Sequence, residues 1–262
     1  MKIGVCGAAG RMGRAIIGLV RSAEDLELTA AVEAPGHPDY GRDAGEVAGV
    51  GRLGVPIAAE LAGSPDAVID FSSPKAARAV ARVCRERKIP LVVGTTGLSD
   101  GDQDEIAKTA KVVPVVFSPN MSVGVNLLFD LAPKVAKALG DGYDIEIVEM
   151  HHRFKKDAPS GTAVKLGEEI AHALKVSLKD IADHGREGLV GERQAGHIGF
   201  HAVRGGDVVG DHTVVFAGLG ERVELVHKAG SRECFARGAL RAARFVRGHK
   251  PGLFNMKDVL GL

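Results

Sequence analysis

The segment Glu149-Met150-His151-His152-Arg153-Phe154-Lys155-Lys156-Asp157-Ala158-Pro159-Ser160-Gly161-Thr162 is the densest polar stretch after residue 122. Its residue types can do acid–base and anion chemistry. A histidine can give or take a proton near neutral pH. Lys155 supplies a compact positive charge. Ser160, Gly161 and Thr162 open a helical pattern carried by Ala163, Leu166, Ile170 and Ala173, and free N–H groups at a helix start suit a carboxylate. An acid beside two anion sites points to a small dicarboxylate substrate. Metal binding is the weaker reading. On a strand, His151 and His152 point to opposite faces, and no third ligand stands at a usual spacing, so no metal is expected. A solvated basic loop is the plain alternative that spacing alone leaves open.

A second group of residues lies near the N-terminus. Gly7-Ala8-Ala9-Gly10-Arg11-Met12-Gly13 follows an apolar run at Lys2–Cys6 and opens a helix. Small residues there permit a tight turn and let backbone approach a pyrophosphate at the positive helix end. The spacing is G-x-x-G-x-x-G, a variant of the commoner dinucleotide fingerprint. Glu33 stands 20 residues after Gly13, at the end of the next apolar run, where a carboxylate can accept from ribose hydroxyls. An exposed strand-end acid is the alternative. Gly94-Thr95-Thr96-Gly97 and Ser118-Pro119-Asn120-Met121 also fall at carboxyl ends of expected strands, where ligands bind in open α/β sheets. The glycines would bring backbone near a flat ring and the threonine hydroxyls could bond it, or both segments are ordinary turns.

Positioning these groups requires two kinds of architecture. Through residue 122 the apolar runs Lys2–Cys6, Leu28–Glu33, Ala67–Phe71, Leu91–Val93 and Val112–Phe117 alternate with helix signals, at Ser73-Pro74 and at Ser99 with Asp100 and Asp102. Continuous apolar strands alternating with helices imply βαβ units in a doubly wound parallel sheet. Beyond residue 122 the pattern predicts a helix over Asn126–Leu139 bent by Pro133, and a strand over Tyr143–His151 with alternate residues inward. Strands at His212–Phe216 and Arg222–His227 follow, joined by Gly218-Leu219-Gly220, with a last helix over Glu233–Val246 closing the chain. This region reads as an α+β domain with an open mixed sheet, mostly antiparallel. The expected division is residues 1–122 completed by 232–262 for dinucleotide binding, and 123–231 for substrate and oligomer contacts.

Composition sets outer bounds. At 262 residues the chain accommodates two domains, and 34 basic against 33 acidic residues offer no footprint for nucleic acid. Three separated cysteines, Cys6, Cys84 and Cys234, fit no disulfide framework, which favours a cytoplasmic setting. No apolar run reaches the roughly 18 residues of a membrane span.

Taken together, GAAGRMG, GTTG, SPNMSVGVN, EMHHRFKKDAPSGTA, GDHTVVFAGLGERVELVHKAGSRECFARGAL and GLFNMKDVL make the chain resemble bacterial dihydrodipicolinate reductases almost end to end. That resemblance implies a Rossmann-type domain completed by the C-terminal helix, and a substrate domain that also forms a homotetramer. It implies reduction, by NADH or NADPH, of a cyclic dihydropyridine dicarboxylate to tetrahydrodipicolinate in the diaminopimelate route to lysine. It implies that Gly7 through Met12 and Glu33 bind the cofactor, with Gly94–Gly97 and Ser118–Met121 on its nicotinamide side. His151 is then the proton donor, Lys155 the second catalytic residue, and His152, Gly161 and Thr162 bind substrate. Cofactor on one domain and substrate on the other imply a closing motion. Ala34 departs from the family's frequent arginine for the adenosine 2′-phosphate, leaving Arg11 as the nearest candidate to replace it. Two rival readings remain: a non-catalytic NAD-binding redox sensor, and another two-domain dehydrogenase, for which a semialdehyde enzyme would need Cys234 as nucleophile.

Overall fold

Parallel strands buried on both faces account for the apolar runs of the N-terminal region. A computed structural model describes residues 1–262, and one unit of it consists of Met1–Val123 with Arg232–Leu262. Its strands are β1 (Lys2–Cys6), β2 (Glu27–Val32), β3 (Ile57–Ala58), β4 (Ala67–Asp70), β5 (Leu91–Val93), β6 (Pro114–Phe117) and, late in the chain, β12 (Gly252–Phe254). They pair in the order β12-β6-β5-β4-β1-β2-β3, every pairing parallel. The strand order reverses at β1 and β4, so the loops after these strands flank a topological switch point.

The helices of this unit are α1 (Arg11–Ser22), α2 (Ala44–Ala48), α3 (Pro74–Arg87), α4 (Asp100–Ala110), α8 (Glu233–Arg247) and α9 (Met256–Leu260). Ser73 caps α3 ahead of Pro74, and Ser99 with Asp102 forms a capping box on α4. Helix α8 brings Ala236, Ala239, Leu240, Ala243 and Val246 into the core of Ile3, Val5, Ile16, Ile17, Val92 and Val116. Contact is close enough that a Cβ on Gly238 would lie 1.7 Å from the Met121 carbonyl oxygen. The chain does not close on this helix, as the periodicity predicts. It continues into β12, which adds an edge strand beside β6, and into α9, whose Met256 and Val259 join the same core.

The other unit, Gly124–Ser231, contains α5 (Val123–Leu139, which begins at the junction), β7 (Asp144–His151), α6 (Gly161–Leu174), α7 (Leu178–Ile181), β8 (Ala182–His184), β9 (Ile198–Arg204), β10 (Asp211–Ala217) and β11 (Arg222–Lys228). Its sheet runs β11-β10-β7-β9-β8. The expected hairpin is present between β10 and β11, with Gly220 at φ +84° in the turn. The sheet is mixed rather than mostly antiparallel, because β7 pairs with β9 and β9 with β8 in parallel. Helix α6 lies between β7 and that parallel pair, which makes the segment a βαβ crossover. Ile145, Ile147, Val214, Phe216, Ile198 and Phe200 pack from the sheet against α5 and α6. No helix of either unit is long and apolar enough to cross a membrane.

Candidate functional site

In the first unit, the chemistry gathers at the carboxyl ends of β1, β2 and β4. Gly7 adopts φ +76°, and a Cβ there would meet the Phe71 carbonyl oxygen at 2.4 Å. A Cβ on Gly13 would lie 2.1 Å from the Gly7 oxygen. Gly10 is the N-cap of α1 and leaves that helix start without a side-chain cap. The result is a cradle of bare backbone facing a cleft of about 630 Å3, lined by Gly7, Gly10, Glu33, Ala34, Ser72 and Lys75 among others. A phosphate group fits such a site by size and by helix polarity. The Glu33 Oε2 accepts the Ala9 N–H at 3.1 Å and its Oε1 accepts that of Ala34 at 3.0 Å. Each oxygen keeps a lone pair for a ribose hydroxyl.

The structure changes the expected part played by several side chains here. Thr95 does not present its hydroxyl outward. It is buried, donates to Asp70 Oδ2 at 2.6 Å and accepts the Ser72 N–H at 3.0 Å. Ser72 Oγ donates to the other Asp70 oxygen at 2.6 Å. Burial pushes the Asp70 carboxyl up to about 6 despite these donors. Asp70 therefore ties the loop after β4 to the loop after β5, and Thr95 serves as a strut. Thr96 and Gly97 are exposed, and Gly97 takes φ +75°. Ser118 Oγ closes on the Asn120 carbonyl at 2.8 Å, Pro119 is exposed, and Met121 is buried. Met12 packs on the core, leaving its backbone for the loop. Arg11 is exposed and is not part of the cleft lining, whereas Lys75, unread in the sequence, is its single cation. Proline at the start of α3 with a lysine next to it was the available signal.

In the second unit, strand periodicity builds the polar cluster. Along β7 the buried positions are Ile145, Ile147, Glu149 and His151, so the core face passes from apolar to charged within one strand. Glu149 Oε2 lies 2.6 Å from His151 Nδ1. Arg204, at the end of β9, donates to both Glu149 oxygens at 2.7 and 2.8 Å, and the Ser160 N–H adds a third donor at 3.0 Å. Burial alone would raise the Glu149 carboxyl, but Arg204, His151 and the Ser160 N–H together hold it below the usual range. His212 pairs opposite Glu149 in the β7–β10 register, with its ring edge-on to His151 at 5.2 Å between centroids. Burial lowers His212 to about 3, so it is neutral.

Ser160, expected to touch substrate, is buried and its polar groups are engaged within the protein. Its Oγ accepts the Ala163 N–H at 3.2 Å, capping α6, and sits 3.1 Å from His212 Nε2. It fixes the helix start instead, with exposed Gly161 and half-buried Thr162 as the next residues. Lys155 Nζ lies 2.8 Å from both oxygens of exposed Asp157. The His152 N–H donates to the Val208 carbonyl at 2.8 Å, which turns the chain out of β7. His151 Nε2 has no protein partner. Glu149, Arg204 and His212 were not singled out from the sequence, although an acid and a histidine two apart on a strand share a face.

A doubly wound nucleotide cradle, with a buried glutamate–histidine pair beside a helix start on an α+β unit, defines an NAD(P)-dependent oxidoreductase. Residues 1–121 match the family described as dihydrodipicolinate reductase, N-terminus, and residues 124–260 match its C-terminus. The chain belongs to the dihydrodipicolinate reductase family. It is 55% identical over 261 residues, 98% of this chain and 97% of its relative, to a 4-hydroxy-tetrahydrodipicolinate reductase of Anaeromyxobacter sp. (strain Fw109-5). It is 52% identical to the enzyme of the same name from Nitrosomonas europaea, over 100% of this chain and 98% of that one. A solved, dipicolinate-bound dihydrodipicolinate reductase from Paenisporosarcina sp. TG-14 superposes with a TM-score of 0.75 at 25% identity, covering 97% of each chain.

Proposed function

We propose that His151 is the proton donor and Lys155 the carboxylate-binding partner in the reduction that gives this family its name. The reaction belongs to the diaminopimelate route to lysine and yields tetrahydrodipicolinate from 4-hydroxy-tetrahydrodipicolinate or its dehydrated form. When bound, NADH or NADPH supplies the hydride. The observation that carries the residue assignment is the His151 ring, fixed at Nδ1 by a buried carboxylate while Nε2 remains without a protein partner. Nε2 is then the atom that delivers a proton to the carbon next to the one reduced. Lys155, the N–H groups at Gly161 and Thr162, and His152 hold the two carboxylates. Residues Gly7 through Met12 hold the pyrophosphate through backbone, and Glu33 the ribose. Backbone at Gly94–Gly97 and Ser118–Met121 borders the nicotinamide. The sensor reading gives no reason for this acid and anion cluster. The semialdehyde reading needs an activated thiol, whereas burial raises that of Cys234. Turnover of NADH with dihydrodipicolinate, inhibited competitively by pyridine-2,6-dicarboxylate, is the expected result. A diacid that neither inhibits nor binds overturns the assignment.

The sheet of the second unit supports the finer proposal of a homotetramer. Its face away from α5 and α6 carries Val148, Met150, Val203, Val215 and Val226, all half-buried or exposed, among polar neighbours such as Glu146, Thr213 and Glu224, a mixed surface with apolar positions available for self-association.

Cofactor preference follows from charge near Glu33. A 2′-phosphate needs a cation, and Ala34 provides none. Lys75 is the one positive side chain lining the cleft. Wild-type protein is expected to use NADH at least as well as NADPH, with kcat/KM values within about tenfold, since charge-assisted contacts contribute only ~1.5–3 kcal/mol. Lys75→Ala should weaken NADPH binding several-fold and leave NADH nearly unchanged, measured as Kd by nicotinamide fluorescence. Ala34→Arg should shift the ratio towards NADPH. If Arg11→Ala rather than Lys75→Ala selectively weakens NADPH, the phosphate is held at the start of α1.

A further inference from the structure

We propose that Glu149 is a positioning residue for His151: its buried carboxylate fixes the Nδ1–H tautomer and sustains the imidazolium, so that Nε2 carries the transferable proton. The inference rests on the reading of His151 as the acid, yet the dyad can be measured without turnover.

The placement comes from the sheet. Glu149 and His151 are two apart on β7 and share its buried face. Register sets Arg204 of β9 opposite His151 and His212 of β10 opposite Glu149. Glu149 is 1% exposed and accepts from every side: Arg204 twice, the Ser160 N–H, and His151 Nδ1 at 2.6 Å. Such a fully bonded carboxylate cannot rotate away, so the ring it holds keeps one orientation. A Cβ on Gly210 would approach His151 Nε2 to 3.0 Å, so glycine there leaves room for the ring. A carboxylate on Nδ1 dictates which nitrogen is free to exchange a proton with a ligand.

The charges around the ring oppose one another. Burial lowers His151, Glu149 raises it by hydrogen bond and charge, and Lys155 and Arg204 lower it again. Neutral His212 adds no charge, His227 lies beyond it across the β10–β11 ladder, and Asp157 partly offsets Lys155. An acid must be protonated when it is used, so activity falls as pH rises through the His151 pKa. Removing the Glu149 charge lowers that pKa, which moves the alkaline limb of kcat/KM to lower pH. Removing the Arg204 charge does the opposite. The opposite shifts show that both charges act on His151, and loss of the single tautomer in the Glu149 variant shows that the carboxylate also fixes the ring.

The test uses Glu149→Gln and Arg204→Gln in the full chain. The His151 imidazole is followed by 15N NMR, its signal assigned among the ten histidines by its loss in His151→Gln. Glu149→Gln should lower the His151 pKa by about one unit or more, populate both tautomers, and reduce kcat about tenfold. Arg204→Gln should raise the pKa. An unmoved or raised His151 titration in Glu149→Gln overturns the proposal. If Glu149→Gln does not fold, a fall or no change in Arg204→Gln overturns it equally. A dyad that titrates as described in a protein where His151→Gln retains full turnover defeats the acid assignment alone. Loss of turnover in His151→Gln with an unmoved titration in Glu149→Gln defeats the positioning role alone.

Discussion

His151→Gln is expected to lower kcat by roughly 100-fold or more, about 2.7 kcal/mol of transition-state stabilisation, while NADH affinity stays close to wild type. Glutamine fills much of the imidazole volume and its amide can still donate to Glu149, so the fold should survive. What it lacks is a group that is both protonated and willing to lose the proton near neutral pH. The effect belongs in kcat rather than KM because nothing assigns a ground-state carboxylate contact to Nε2. Lys155→Ala should be comparably damaging, with a larger share in KM, since its ammonium, which pairs with exposed Asp157, is proposed to bind a substrate carboxylate. Steady-state kinetics of both variants, with NADH titrated by fluorescence, separate these contributions. Near-normal turnover in His151→Gln removes this side chain from the chemistry.

The parts of the fold that could be read from sequence are those whose burial is uniform. Strands β1, β4, β5 and β6 are covered on both faces, so apart from Lys2 and Asp70 at their ends their residues are apolar. Strand β9 escaped notice for a physical reason. Its second residue is Gly199, where a Cβ would fall 1.9 Å from Glu146 Oε2, and its residues after Phe200 are half-buried or exposed. The glycine makes room for a carboxylate that binds Arg186, Arg193 and His201, a network tying the segment from 185 to 197 onto the sheet. Without β9 the parallel half of the sheet was invisible, and the two hairpin strands suggested an antiparallel one. Strands β3 and β12 have two and three residues, too few to carry a period.

The candidate site divides in the same way. The glycine loop, Glu33 and the His151–Thr162 segment were legible because spacing and residue type constrain each locally. Glu149 opens the polar segment and takes a place in the β7 alternation, but neither fact pairs it with Arg204 and His212, which lie 55 and 63 residues further on. Pairing over such distances is set by strand register, which one sequence does not display. The same limit applies to Thr95, whose hydroxyl points inward only because Asp70 waits on the neighbouring strand. A motif locates the chemistry, and the sheet decides which of its side chains face a ligand and which hold the others still.

Gly13→Ala is the variant expected to damage cofactor binding most, raising the Kd for NADH by about 100-fold or more and lowering Tm. Gly13 has no positive φ, so the argument is space rather than conformation. Its Cβ would stand 2.1 Å from the Gly7 oxygen and 2.7 Å from the Ala8 Cα and carbonyl oxygen, all backbone atoms of the cradle. Backbone cannot yield as the end of a flexible side chain can, so α1 must shift from β1 or the loop must open. Either displacement moves the N–H groups that would face the pyrophosphate. Gly18→Ala in the same helix is the control, because its Cβ would meet only Val50 Cγ1 at 3.6 Å. It should be neutral or stabilising by roughly 0.5–1 kcal/mol, the usual gain of alanine over glycine within a helix. Affinity for pyridine-2,6-dicarboxylate in the absence of cofactor should stay near wild type in both variants, because the residues proposed to hold the diacid all lie within Gly124–Ser231. Calorimetry with each ligand distinguishes a local loss from general unfolding. Wild-type NADH affinity in Gly13→Ala would show that the loop accommodates the methyl group and that the pyrophosphate is held elsewhere.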